Sequence, residues 1–154
     1  MSRRRFLRPT EQHPTQSSLP WLIDSKLDHS ECETCQLCPS TCPTQIISID
    51  HKNQPYLDFS AGGCELCGKC VEVCPQDTFN KRSERAWVHR LKNSASCMAY
   101  QAVYCRSCQD ACPSKAIRFD LSTITSGLPE ILQEQCTGCG FCISACPSDS
   151  LSLF

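Results

Sequence analysis

The stretch CELCGKCVEVCP, residues 64–75, reads C-x2-C-x2-C-x3-C-P, and its reading decides the fold. Three cysteines at successive i, i+3 steps wrap a short loop around one face of a cube. Between Cys70 and Cys74 there is room for about one helical turn, and Pro75 then stops the helix from continuing. The pattern recurs as CETCQLCPSTCP at 32–43 and CTGCGFCISACP at 136–147. A fourth copy, CMAYQAVYCRSCQDACP at 97–113, ends the same way but sets seven residues between Cys97 and Cys105. All sixteen cysteines fall inside these four units.

Thiolate is a soft, charged ligand that suits iron–sulfur clusters, zinc and copper(I). Spacing separates these uses. Structural zinc sites combine two ligand pairs, each C-x2-4-C, across an intervening stretch. Three cysteines in close succession instead offer three ligands to a [4Fe–4S] core and leave one iron needing a partner. In the third unit Cys97 either joins Cys105 and Cys108 or is not a ligand at all. An even cysteine count also admits disulfides. Regular spacing argues against them, as does a start without the complete secretory signal of an oxidising compartment.

That start carries its own contradiction. Ser2-Arg3-Arg4-Arg5-Phe6-Leu7 reads like the twin-arginine address of a protein exported already folded. The residues that follow, Arg8 to Pro14, are polar where an export signal needs an apolar segment. The expectation is a protein engaged with export traffic but not carried by it.

Composition narrows the remaining classes. Six Phe, three Tyr and two Trp make a thin core, which small folds support with covalent or metal staples. A formal charge of −1 points neither to nucleic acid nor to a membrane surface. No run approaches the roughly 20 apolar residues of a membrane-spanning helix, so stable insertion is not expected. There is no phosphate-binding glycine loop, and His13, His29, His51 and His89 lie apart, as surface residues do. Nothing reads as an enzyme's catalytic site; single-electron chemistry is what such cysteine sets support.

Flanking sequence gives the rest of the repeat. After three Cys-Pro pairs come TQIISID (44–50), SKAIRFD (114–120) and SDSLSLF (148–154). Before the second and fourth units lie YLDFS (56–60) and LPEILQE (128–134). These read as short strands, giving loop, helix and strand four times over. The boundaries expected are a mobile basic tail at 1–27, a first unit at 28–80, a basic linker at 81–96 and a second unit at 97–154. Gly68, Gly138 and Gly140 fit either close backbone approach to a cluster or ordinary turns. In the long third loop Tyr100, Val103 and Tyr104 either shield a cluster or form a neutral insertion. Arg3, Arg4 and Arg5, with the basic linker, either dock an acidic partner or form a solvated charge run. Trp87 in the linker favours contact, with the second unit or with a partner.

The regular motifs resemble those of two-cluster bacterial ferredoxins, where the cysteine before proline ligates the cluster of the other motif. By that resemblance Cys32, Cys35, Cys38 and Cys74 hold a first cluster, and Cys64, Cys67, Cys70 and Cys42 a second. Cys97, Cys105, Cys108 and Cys146 hold a third; Cys136, Cys139, Cys142 and Cys112 hold a fourth. The implied fold is α+β: two tandem dicluster ferredoxin-like domains, each with two short helices and small β-hairpins around two [4Fe–4S] clusters. The four-cluster layout, the Ser-Arg-Arg start, the Arg85-Ala86-Trp87 linker and the long third motif together resemble the NapF family. These are the ferredoxin-type proteins of the periplasmic nitrate reductase system. The resemblance covers nearly the whole chain. It implies a cytoplasmic protein that meets the precursor of the nitrate reductase catalytic subunit and assists its maturation before export, by [4Fe–4S] assembly or electron supply. The alternative is a general polyferredoxin passing single electrons to a reductase.

Overall fold

A computed structural model describes residues 16–80, 85–87, 89–120 and 127–154. The first half runs β1 (Gln16–Ser17), a 3-10 turn (Asp24–Lys26), α1 (His29–Cys35), α2 (Leu37–Thr41), β2 (Ile47–Ile49), β3 (Pro55–Asp58) and α3 (Lys69–Val73). The second runs β4 (Leu91–Asn93), a 3-10 turn (Met98–Gln101), α4 (Ser107–Asp110), β5 (Ile117–Phe119), β6 (Pro129–Ile131), α5 (Phe141–Ser144) and β7 (Leu151–Leu153).

The helices α2, α3, α4 and α5 each occupy the short interval between the third and fourth cysteines of a unit. Proline sets their ends. Cys42 and Cys74, each followed by proline, leave the helix at φ −70°, ψ 117° and φ −71°, ψ 124°, because the ring that follows disfavours helical backbone. Helix α1 was not expected from spacing. Asp28 caps it, its carboxylate accepting from the Ser30 amide at 3.0 Å, which satisfies one otherwise orphaned donor. Gln76 secures the cap from the far end of the next motif. Its side-chain carbonyl accepts from the Asp28 amide at 2.8 Å and its amide donates to the Asp28 carbonyl at 3.2 Å.

The strands β2 and β3 form an antiparallel hairpin in the register Ile47↔Leu57 and Ile49↔Pro55. Asp50 builds the turn by accepting from the amides of Lys52 and Gln54 at 2.8 and 2.9 Å. In the second half β5 and β6 repeat the pairing as Ile117↔Ile131. A further pair, β4 with β7, joins the segment before the third motif to the segment after the fourth, as Leu91↔Leu153. Its counterpart in the first half is a single bridge, Leu22↔Phe79.

Two stretches differ from expectation. Residues 16–27, placed in the mobile tail, contain β1, which adds to β3, and carry Leu19 and Trp21 at 2 % and 7 % exposure. Residues 85–93, placed in the linker, contain buried Trp87 and β4 with buried Leu91. The reason is the thin core: with so few large apolar residues, segments outside the motifs are drawn in to cover the cysteine loops.

That core is continuous across both halves, running from Leu19, Ile46 and Phe59 to Trp87, Ile117 and Ile143. At the junction the Cys64 amide donates to the Cys139 carbonyl at 2.6 Å. Gly63 lies under Phe141, and Gly140 lies under Phe59. Among the described residues no helix is long and apolar enough to cross a membrane.

Candidate metal centres

Each helical turn carries one motif's third cysteine and delivers its fourth beside the other motif. Cys32, Cys35, Cys38 and Cys74 line one cavity with Leu19 and Phe79. Cys42, Cys64, Cys67 and Cys70 line a second. Cys97, Cys105, Cys108 and Cys146 line a third. The last four, Cys112, Cys136, Cys139 and Cys142, interact electrostatically as a group, with Cys139 and Cys142 buried.

At three cavities the structure therefore gathers three cysteines of one motif with the Cys-Pro cysteine of its pair. Cys97, open at the sequence level, stands at the third cavity. All sixteen are free thiols, with none in a disulfide.

Ionising several of these thiols is costly. Burial pushes Cys38 and Cys64 up to about 12, and Cys70 and Cys108 up to about 11; neighbouring thiolates add to each rise. Burial also pushes Cys142 up, with help from Cys139, Cys136 and Cys112. A metal core favours the thiolate form of such raised groups as it displaces their protons. The cysteines before proline are treated differently. Burial raises Cys42, but the Thr44 hydroxyl and backbone amides outweigh it and lower its pKa. Burial raises Cys146 too, and the Ser150 and Ser148 hydroxyls with their amides reverse that.

These donors were missed at the sequence level, although the order Cys-Pro-Thr/Ser in three of four units was a signal. Thr44, Ser114 and Ser148 place hydroxyls 3.5, 3.5 and 3.6 Å from the sulfurs of Cys42, Cys112 and Cys146. Backbone amides join them: Ala116 donates to Cys112 Sγ at 3.3 Å and Ser150 to Cys146 Sγ at 3.4 Å. Both follow left-handed residues, Lys115 and Asp149 at φ 53° and 49°. In the second unit Gln76 takes the place of the hydroxyl, and it holds Asp28 instead.

Two observations beside the fourth motif fit a buried group held there. At the fourth quartet the Trp87 indole nitrogen is buried and lacks a hydrogen-bond partner, lying against Gly138 between Cys136 and Cys139. Gly138 and Gly140 adopt φ +72° and +81°, left-handed backbone that favours glycine. A side chain at Gly138 would also strike Trp87, and one at Gly140 would strike Phe59.

Other expected site residues fare unevenly. Arg3, Arg4 and Arg5 lie outside the described residues, as does His13. Trp87, a candidate for partner contact, is instead 8 % exposed and packs on the fourth motif, its second expected location. Arg85 beside it acts on Cys136: burial raises that thiol, and the guanidinium draws it part of the way back. In the long loop the 3-10 turn points Ala99 into the core and Met98 at the third cavity. Tyr100, Val103 and Tyr104 are exposed, so the two residues before them do the shielding.

Residues 31–78 and 103–150 each match the 4Fe-4S dicluster domain family. Over 133 residues the chain is 32 % identical to the ferredoxin-type protein NapF of Escherichia coli (strain K12), covering 86 % of this chain and 81 % of that one. It is 35 % identical over 134 residues to the NapF of Haemophilus influenzae, covering 87 % and 76 %. The ferredoxin-type protein NapG of E. coli is 26 % identical over 148 residues, covering 82 % of this chain and 64 % of that one. Two dicluster domains give four [4Fe–4S] clusters, and sixteen cysteines fit that number at four thiolates to each. By domain content, and by identity over most of its length, the chain belongs to the NapF family of ferredoxin-type, 4Fe-4S dicluster proteins.

Proposed function

We propose that each quartet ligates one [4Fe–4S] cluster and that the protein is a redox accessory of the periplasmic nitrate reductase system, not itself an enzyme. In this reading Cys32, Cys35, Cys38 and Cys74 hold the first cluster; Cys42, Cys64, Cys67 and Cys70 the second; Cys97, Cys105, Cys108 and Cys146 the third; Cys112, Cys136, Cys139 and Cys142 the fourth. The observation that supports it is that three cavities are each lined by three cysteines of one motif and the Cys-Pro cysteine of its pair. When bound, such clusters accept and release one electron at a time. The chain's own residues set the conditions: apolar walls line the cavities, and hydroxyls and amides favour the charged form of the Cys42 and Cys146 sulfurs.

The likeness to NapF and NapG supports a finer assignment. The protein works in the cytoplasm, whose reducing conditions keep cysteines available as ligands, and meets the precursor of the nitrate reductase catalytic subunit before export. There it supplies electrons or assists [4Fe–4S] assembly. The first dicluster unit is 28–80 and the second 97–154, with the segments before each packing on the unit that follows. Anaerobic capture of the tagged full chain from cytoplasm tests this. The maturation role predicts the catalytic-subunit precursor in the captured material, and low nitrate reductase activity in a deletion strain grown with limiting iron. A general carrier predicts rapid reoxidation by a reductase without that complex.

A further inference from the structure

Resting on the ligand assignment above, a second question is whether the four sites form two separate pairs or one array. Within each half the neighbours are fixed by a single helical turn. Helix α2 carries Cys38 of the first quartet and leads directly to Cys42 of the second; α3 carries Cys70 of the second and leads to Cys74 of the first. Helices α4 and α5 join the third and fourth quartets the same way, through Cys108 to Cys112 and Cys142 to Cys146. Four residues of helix span about 6 Å, so each pair is close.

The junction between halves supplies a third link of the same kind. Cys64 of the second quartet and Cys139 of the fourth share a direct hydrogen bond, amide to carbonyl, at 2.6 Å. Reciprocal contacts clamp it. Phe141 covers Gly63, where an added Cβ would lie 2.5 Å from the ring, and Phe59 covers Gly140. Phe59 is fully buried at this junction. Each phenylalanine adjoins one cysteine loop and covers a glycine of the other, and Phe59 belongs to the core.

We infer that this junction joins the four sites into one linear array, in the order first, second, fourth, third, with the first and third at its ends. Chain order would have placed the third beside the second; the fold places the fourth there. Clusters held at these sites would exchange single electrons between neighbours, one site oxidised by one electron as the next is reduced by one, with no bond or proton changing hands. The residues that would hold the two halves' sites together are Phe59, Gly63, Cys64, Cys139, Gly140 and Phe141.

The test is pulsed dipolar electron paramagnetic resonance on the intact chain, isolated anaerobically and reduced stepwise with dithionite, after its iron and acid-labile sulfide are counted. The array predicts magnetic coupling between halves of the same order as coupling within a half. In a Phe59→Ala/Phe141→Ala variant that keeps all its iron, coupling between halves falls several-fold while coupling within each half stays. A fully loaded wild-type chain with absent or far weaker coupling between halves overturns the array, whether or not the variant folds. A loaded variant with unchanged coupling overturns the clamp. A chain that lacks the clusters overturns the ligand assignment instead, so the two failures are distinguishable.

Discussion

Replacing Trp87 with Phe removes one buried donor and little else. The indole nitrogen has no partner among protein groups and lies against Gly138, in the loop that carries Cys136 and Cys139. A buried, unsatisfied N–H costs about 1–3 kcal/mol, so its acceptor is expected to be a sulfur of the fourth centre. Reduction adds negative charge there, and the hydrogen bond then favours the reduced form. If the bond differs by about 1 kcal/mol between the two states, the midpoint moves by roughly 40 mV, since about 1.4 kcal/mol corresponds to 59 mV for one electron. Trp87→Phe should therefore lower one of four midpoints by about 40 mV and leave the others in place. Potentiometric titration followed by electron paramagnetic resonance on the full chain measures this. Unchanged midpoints in a variant with intact iron content would refute the assigned hydrogen bond. A uniform fall in all four would point to general loosening and refute it equally.

Four further outcomes follow from particular contacts. Thr44→Val and Ser148→Ala each remove a hydroxyl about one hydrogen bond from a Cys-Pro sulfur, and should lower the second and third midpoints respectively, read by the same titration. Gly140→Val forces a β-branched residue to φ +81° and into Phe59; strain and overpacking of about 1–3 kcal/mol each should lower the thermal unfolding midpoint and the iron content. Cys97→Ala should cost the third cluster and so about a quarter of the iron, against no loss if Cys97 is not a ligand. Acid should release iron before mild alkali does. The quartet thiols, raised by burial to about 12 at Cys38 and Cys64, favour protons over ionisation as pH falls, and bleaching of visible absorption against pH measures the asymmetry.

The parts of this protein that were legible in its sequence are those whose chemistry fixes spacing. Three ligands to one face of a cube require the C-x2-C-x2-C interval, and the turn to the fourth cysteine requires a short helix closed by proline. The strands after three of the Cys-Pro pairs were legible for a related reason, since residues such as Ile46 and Ile47 have no other core to enter. Strands β1 and β4 were hidden because their register is set only by distant partners, Asp58 and Leu153. Helix α1 was hidden because its cap depends on Gln76, almost fifty residues away. The long third loop misled for a local reason: tyrosine hydroxyls favour water, and the 3-10 turn presents Met98 and Ala99 inward. Trp87 was singled out correctly as a contact residue, but only the folded chain shows that its contact is the fourth motif.

The most direct test of the central claim is the metal and sulfide content of the full chain isolated without oxygen. Four quartets each holding a cubane require about four irons and four acid-labile sulfides per quartet, and a brown protein. Zinc at one ion per quartet, or cystine in place of free thiols, with no acid-labile sulfide, would contradict it.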